Sequence, residues 1–295
     1  MRLSEQSRAS NQMRYMSEAT ERADRIQRQL ATNRRIDKAS DDPTGASMAM
    51  QHRKNIAFEA QMRRNLENGT AFLNVTESAL NGVTDLLQRA RELTVQGATG
   101  TLGPSEKTNI ASELNQVIQQ LAQVANTNFG GAYIFSGHQT QTPAYNVSGN
   151  PPVAITWQGD TGQRVRQISA QDAVAVNVVG DTVFGSVFDD LMALRDNLNT
   201  NAPTTAINGS LADIDRALDR VLNARADVGA RLNRFEATTN RSLDADTNLQ
   251  ELRAGIEDID ITETIVQFTA AQNALEAALG AIGRTSNMTL LNFLR

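Results

Sequence analysis

Leu66, Leu73, Leu80 and Leu87 stand seven residues apart. Seven residues make about two turns of α-helix, so this spacing draws an apolar column down one helix face and leaves it in need of a partner. Thr76, Val83 and Ala90 fill the interleaved positions. The pattern returns further on. Ile214, Val221, Val228, Phe235, Ser242, Leu249 and Ile256 form one column, with Leu211, Leu218, Arg225 and Leu232 beside it. Near the end come Ile261, Phe268, Leu275 and Ile282, accompanied by Ile265, Gln272 and Leu279. A thinner stripe near the start, Met13, Met16, Ala19, Ala23, Ile26 and Leu30, recurs at three- and four-residue steps and marks one apolar helix face. These spacings confine the chain to a mainly α fold, with long antiparallel helices forming a coiled-coil or rod bundle.

The places where helices must stop can also be read. Pro43 follows Asp42 in the stretch SDDPTGA. Proline suits the first position of a helix, and an aspartate before it can accept a hydrogen bond from a free backbone N–H. The residue before proline is itself biased away from helix. Asp41, Asp42, Pro43 and Gly45 are therefore expected to form a helix-break turn, with one helix over about 5–35 and the next over about 43–95. Gly97, Gly100, Gly103 and Pro104 end that second helix. A third helix is expected over about 105–126, with Ile110, Leu114, Val117, Ile118, Leu121 and Val124 on one face. Eight of the 19 glycines and most aromatics fall between residues 129 and 188. Short runs there such as AYIF, VAITW, QRVRQI and AVAVNVV lie between turn signals and read as strands. A small antiparallel β domain is thus expected to be inserted among the helices, which resume at about residue 186.

Composition removes several function classes. A net charge of −5 does not favour nucleic acid, which calls for a basic face. No apolar run reaches the length of about 20 residues needed to cross a bilayer, so no membrane partner is expected. The absence of cysteine excludes disulfides and thiol chemistry. Asp41 and Asp42 could ligate a cation, but with His52 and His138 as the only histidines no second cluster of ligands is visible. Asp258 and Asp260 read as the solvated start of the last helix, complementing its dipole. His138, within FSGHQT, has no recognisable nucleophile motif around it. No catalytic residue, cofactor or metal is expected, and the chain is read as a non-enzyme.

The heptads of the middle helices fit an internal bundle. The stripes of the first and last helices are narrower, so these helices are expected to lack partners in the single chain and to pack beside neighbouring subunits. The expected assembly interface is Met13, Met16, Ile26, Leu30, Ile261, Ile265, Phe268, Leu275, Leu279 and Ile282.

Several long stretches carry a resemblance. RRIDKASDDPTGASMA resembles the segment joining the first two helices of the flagellin superfamily. RRNLENGTAFLNVTESALNGVTDLLQRARELTVQGATGT resembles its long second helix, and DIDITETIVQFTAAQNALEAALGAIGRTSNMTLLNFLR its C-terminal helix. Within the superfamily, Asp41-Asp42-Pro43 and NTNFGGAYIFSGHQTQTPAY are most similar to the hook–filament junction branch; the opening MRLSE departs from the usual MRIST. The resemblance implies an inner terminal coiled-coil domain (residues 1–35 and 260–295), a helical rod domain (36–128 and 186–259) and an outer β domain (129–185). It implies a structural adaptor of the extracellular flagellum that forms a ring with itself and joins hook-associated protein 1 to the flagellin filament. It further implies an export chaperone and passage through the flagellar type III export apparatus without a cleaved signal peptide. The alternative is a short filament flagellin built on the same helices.

Overall fold

Helices run as far as the sequence permits. The structure, a computed structural model, describes the backbone of residues 2–293 and the side chains of residue 7 and residues 10–283. α1 (Arg2–Thr32) ends at Asn33, which takes a left-handed φ of 56°, a conformation asparagine tolerates at a helix C-terminus. α2 (Pro43–Gly97) begins at the expected proline and ends in the expected glycine-rich turn. α3 (Pro104–Ala125) also opens on a proline, and the Glu106 carboxylate accepts the Gly103 N–H at 2.6 Å. α4 (Gly180–Phe184) and α5 (Val187–Asn199) lead to α6 (Thr204–Glu257) and α7 (Ile261–Phe293).

The chain divides into two compact units, Ala60–Leu243 and Met1–Glu59 with Asp244–Arg295. In the first, the heptad columns form the core. Leu66, Leu73, Leu80 and Leu87 are buried in one cluster with Leu114, Ile118 and Leu121 of α3 and with Ile214, Val221, Val228 and Phe235 of α6. Each fully buried leucine of this kind contributes about 1.5–3 kcal/mol. The one charge in the α6 columns is also accounted for: Arg225 pairs with Glu77 of α2 at 2.9 Å.

Between α3 and α4 lie six short strands: β1 (Asn128–Phe129), β2 (Ala132–Tyr133), β3 (Tyr145–Ser148), β4 (Ala154–Trp157), β5 (Val165–Gln167) and β6 (Ala173–Ala175). They pair antiparallel as β1–β2, β3–β4 and β5–β6, in three separate two-stranded sheets. The inserted β region is therefore a set of hairpins with no continuous sheet. Hairpins of this size are marginal alone, and aromatic packing anchors the middle one. The Tyr145 ring of β3 lies 5.2 Å from that of Trp157 in β4, 5.4 Å from Phe184 of α4 and 4.9 Å from Phe188 of α5. The aromatics concentrated in the middle of the sequence thus form a local core.

Candidate assembly site in the terminal helices

The remaining unit contains the helix break that sequence chemistry singles out. The Gly45 N–H donates to Asp42 Oδ1 at 2.8 Å, so Asp42 caps α2 as expected. Asp41 works one step earlier: its Oδ2 accepts the N–H groups of Lys38 at 2.9 Å and Asp37 at 3.3 Å. These bonds, the Lys38 one foremost, hold the Asp41 carboxyl below the usual carboxylate range. Gly45 is required by space, because a Cβ there would sit 2.4 Å from Asp42 Oδ2 and 2.7 Å from Ile36 Cδ1. Both aspartates are spent on backbone N–H groups. Among the described residues, no group of three or more His, Cys, Asp or Glu side chains could hold a metal ion.

Asp260 does the same for α7, its Oδ1 accepting the N–H groups of Thr262 at 2.9 Å and Glu263 at 3.1 Å. The two helix breaks meet. Arg34 and Asp258 form an antiparallel bridge, the Arg35 N–H donates to the Glu257 carbonyl at 2.6 Å, and the Arg35 guanidinium donates to the Ile256 carbonyl at 2.7 Å. Arg53 of α2 reaches the Glu257 carboxylate at 2.7 Å, and that carboxylate is almost wholly buried. Nothing local in the sequence points to Arg35, Arg53 or Glu257, because more than 200 residues separate the partners.

From this clasp α1 and α7 run antiparallel and pack on each other, which corrects the expectation that the terminal helices lack partners in the single chain. Ala23, Ile26 and Ala271 are buried together, with Leu30, Phe268 and Leu275 packed around them. Small residues explain the fit. The α7 column facing α1 is Thr264 and Ala271, both buried, with Ala278 half-buried, beside half-buried Phe268, Leu275 and Ile282. Close helix approach needs such short side chains, and the sequence reading, weighted toward large residues, passed over Ala271.

The ten expected interface residues are thereby sorted. Ile26 is buried and Leu30, Phe268 and Leu275 pack in the intrachain seam, while Met16 and Ile282 are half-buried. Met13 is 62 % exposed, Ile261 53 %, Ile265 51 % and Leu279 51 %. Ile265 and Leu279 belong to the second heptad column of α7, which turns away from α1. Val266 extends this exposed stripe, and Met48, Met50 and Phe58 add exposed apolar side chains on α2.

Elsewhere the polar residues do structural work. His138 is exposed, and it is its backbone N–H that donates, at 2.7 Å, to Asp160 Oδ1. No described helix is long and apolar enough to cross a membrane.

Comparison with known proteins matches the helical regions at both ends of the chain. The model of the bacterial flagellin N-terminal helical region matches residues 3–140, and that of the C-terminal helical region matches residues 211–294. Flagellin FlaB1 of Treponema pallidum is 30% identical over 270 residues, covering 90% of both chains. Flagellar hook-associated protein 3 of Escherichia coli is 26% identical over 317 residues, covering 98% of both. A crystal structure of flagellar hook-associated protein 3 from Legionella pneumophila superposes with a TM-score of 0.62 at 19% identity, over 69% of this chain and 98% of that one. The chain belongs to the bacterial flagellin family, whose members are structural components of the flagellum.

Proposed function

We propose that the chain is a structural adaptor of the bacterial flagellum that joins hook-associated protein 1 to the flagellin filament. In this reading it assembles with further copies of itself in a ring, through its terminal helices. One observation carries the proposal. Ala271, Phe268 and Leu275 of α7 pack on α1 within the chain, and Ile261, Ile265, Val266 and Leu279 are left in water on the same helix. Apolar side chains exposed together mark an interaction surface, and copies of the chain packed side by side would cover it.

The junction role is favoured over a short filament flagellin by the alignment with hook-associated protein 3, which runs across 98% of the chain. The residue groups 1–35 with 260–295, 36–128 with 186–259, and 129–185 serve as inner, rod and outer domains in the assembled state. The chain reaches its place outside the cell through the flagellar type III export apparatus, escorted by an export chaperone. Deletion of the gene tests this reading. Cells should carry hooks without filaments and shed unpolymerised filament protein into the medium. Intact filaments, or loss of filaments with no shed filament protein, would contradict it.

A further inference from the structure

A cationic pocket lies in the Ala60–Leu243 unit. It has a volume of about 400 Å³ and is lined by Asn65, Asn68 and Phe72 of α2, by Phe129 of β1, and by Arg164 and Arg166 at β5. Residues two apart on an extended strand point to the same face, so both guanidinium groups are delivered to the same side. The lining contains no carboxylate, and among the described residues neither arginine forms an ion pair.

Arg164 is held firmly. Its N–H donates to Asn177 Oδ1 at 2.7 Å, and its carbonyl accepts the Val176 N–H at 2.8 Å. Its guanidinium carbon lies 5.1 Å from the centre of the Phe72 ring, which is packed edge-on against Phe129. Aromatic contact steadies the cation but leaves its N–H groups to find acceptors in the plane. Nη1 is buried and finds none. Burial, followed by the repulsion of Arg166, lowers the pKa of Arg164. A desolvated N–H donor without an acceptor is costly, and native structures rarely keep one.

We propose that this pocket is a carboxylate-binding site, in which Arg164 Nη1, Arg166 and the adjacent asparagine amides receive a carboxylate whose short apolar stem rests on Phe72 and Phe129. A carboxylate matches the planar fork of guanidinium in both shape and charge. It can come from an acidic side chain of a neighbouring subunit or from a free small carboxylate.

Amide NMR of the purified full chain, titrated with succinate against sodium chloride at equal ionic strength, tests the site. Succinate should shift the amides of Gly69, Gly130, Ala132, Arg164 and Val176 saturably, with chloride leaving them in place. Arg164→Gln should weaken the response about tenfold or more, the loss of one charge-assisted pair, and Arg166→Gln should weaken it less. Both variants should keep the wild-type spectrum elsewhere. No saturable shift, equal shifts with chloride, or an unchanged response in both variants would overturn the site. Assembly in cells then separates the two sources. Impaired assembly of Arg164→Gln assigns the carboxylate to a neighbouring subunit, and normal assembly assigns it to a free anion.

Discussion

Two aspartates placed eight residues apart on α7 should have opposite effects. Ala271 is 6 % exposed and sits in the seam with Ala23 and Ile26. Ala271→Asp would strand an unpaired carboxylate between α1 and α7, at a cost of about 3–5 kcal/mol. Leu279 is 51 % exposed, so about half its side chain is already in water. Complete burial of a leucine is worth about 1.5–3 kcal/mol, so Leu279→Asp should cost the single chain about 1 kcal/mol, with its carboxylate free to hydrate. In the assembly that carboxylate would face a neighbour's apolar surface and cost several kcal/mol per subunit. Hydrogen exchange on purified chains should therefore show the amides around Ala23 and Ile26 protected in Leu279→Asp and exposed in Ala271→Asp. In cells, Leu279→Asp should fail to build a junction. A Leu279→Asp chain that builds a normal junction, or that loses the seam as Ala271→Asp does, would refute the division of α7 into an inward and an outward face.

Other perturbations probe the remaining links. Phe235 is fully buried in the core, and its ring lies where a Gly69 side chain would be. Phe235→Ala should destabilise by about 3–5 kcal/mol and Gly69→Ala by about 1–3 kcal/mol through overpacking, read from urea unfolding. Glu257→Ala should cost about 1–2 kcal/mol, because its bond to Arg53 is lost but that arginine is 44 % exposed and can turn to water; thermal unfolding of the full chain measures it. Asp160 accepts the N–H groups of His138 and Gly162, which hold its carboxyl below the ordinary value. Its contribution is therefore present above the unfolded-state pKa and disappears as pH falls through the lower folded value. Amide exchange around residues 137–138 and 162 should accelerate, beyond the intrinsic pH effect, only below about pH 4, and Asp160→Ala should remove that dependence.

The sequence made some of this legible and hid the rest, for physical reasons. Leucines repeated every seven residues fix a buried face wherever the helix has a single apolar column, and Leu66, Leu73, Leu80 and Leu87 are buried as that rule requires. α7 carries apolar residues on more than one face, so periodicity alone could not say which face its own chain covers. The small column through Thr264 and Ala271 took the intrachain seam, and the column of Ile265 and Leu279 was left outside. Local backbone chemistry was readable at Asp42, Pro43 and Gly45, because the capping bond from the Gly45 N–H to Asp42 spans only three residues. The clasp of Arg35 and Arg53 on Glu257 was not, since only the fold brings those residues together. Strands of two to four residues are too short for alternation to show, so β3 has no sequence signal of its own, and the expected antiparallel β domain proves to be three separate hairpins. Arg164 and Arg166 were visible as a strand, but Phe72, which makes a pocket beside them, lies about 90 residues earlier.

Immunogold labelling of isolated flagella, with an antibody raised against residues 129–185, tests the adaptor role most directly. Gold confined to the boundary between hook and filament is the predicted result. Gold along the whole filament would contradict it and make the chain a filament subunit.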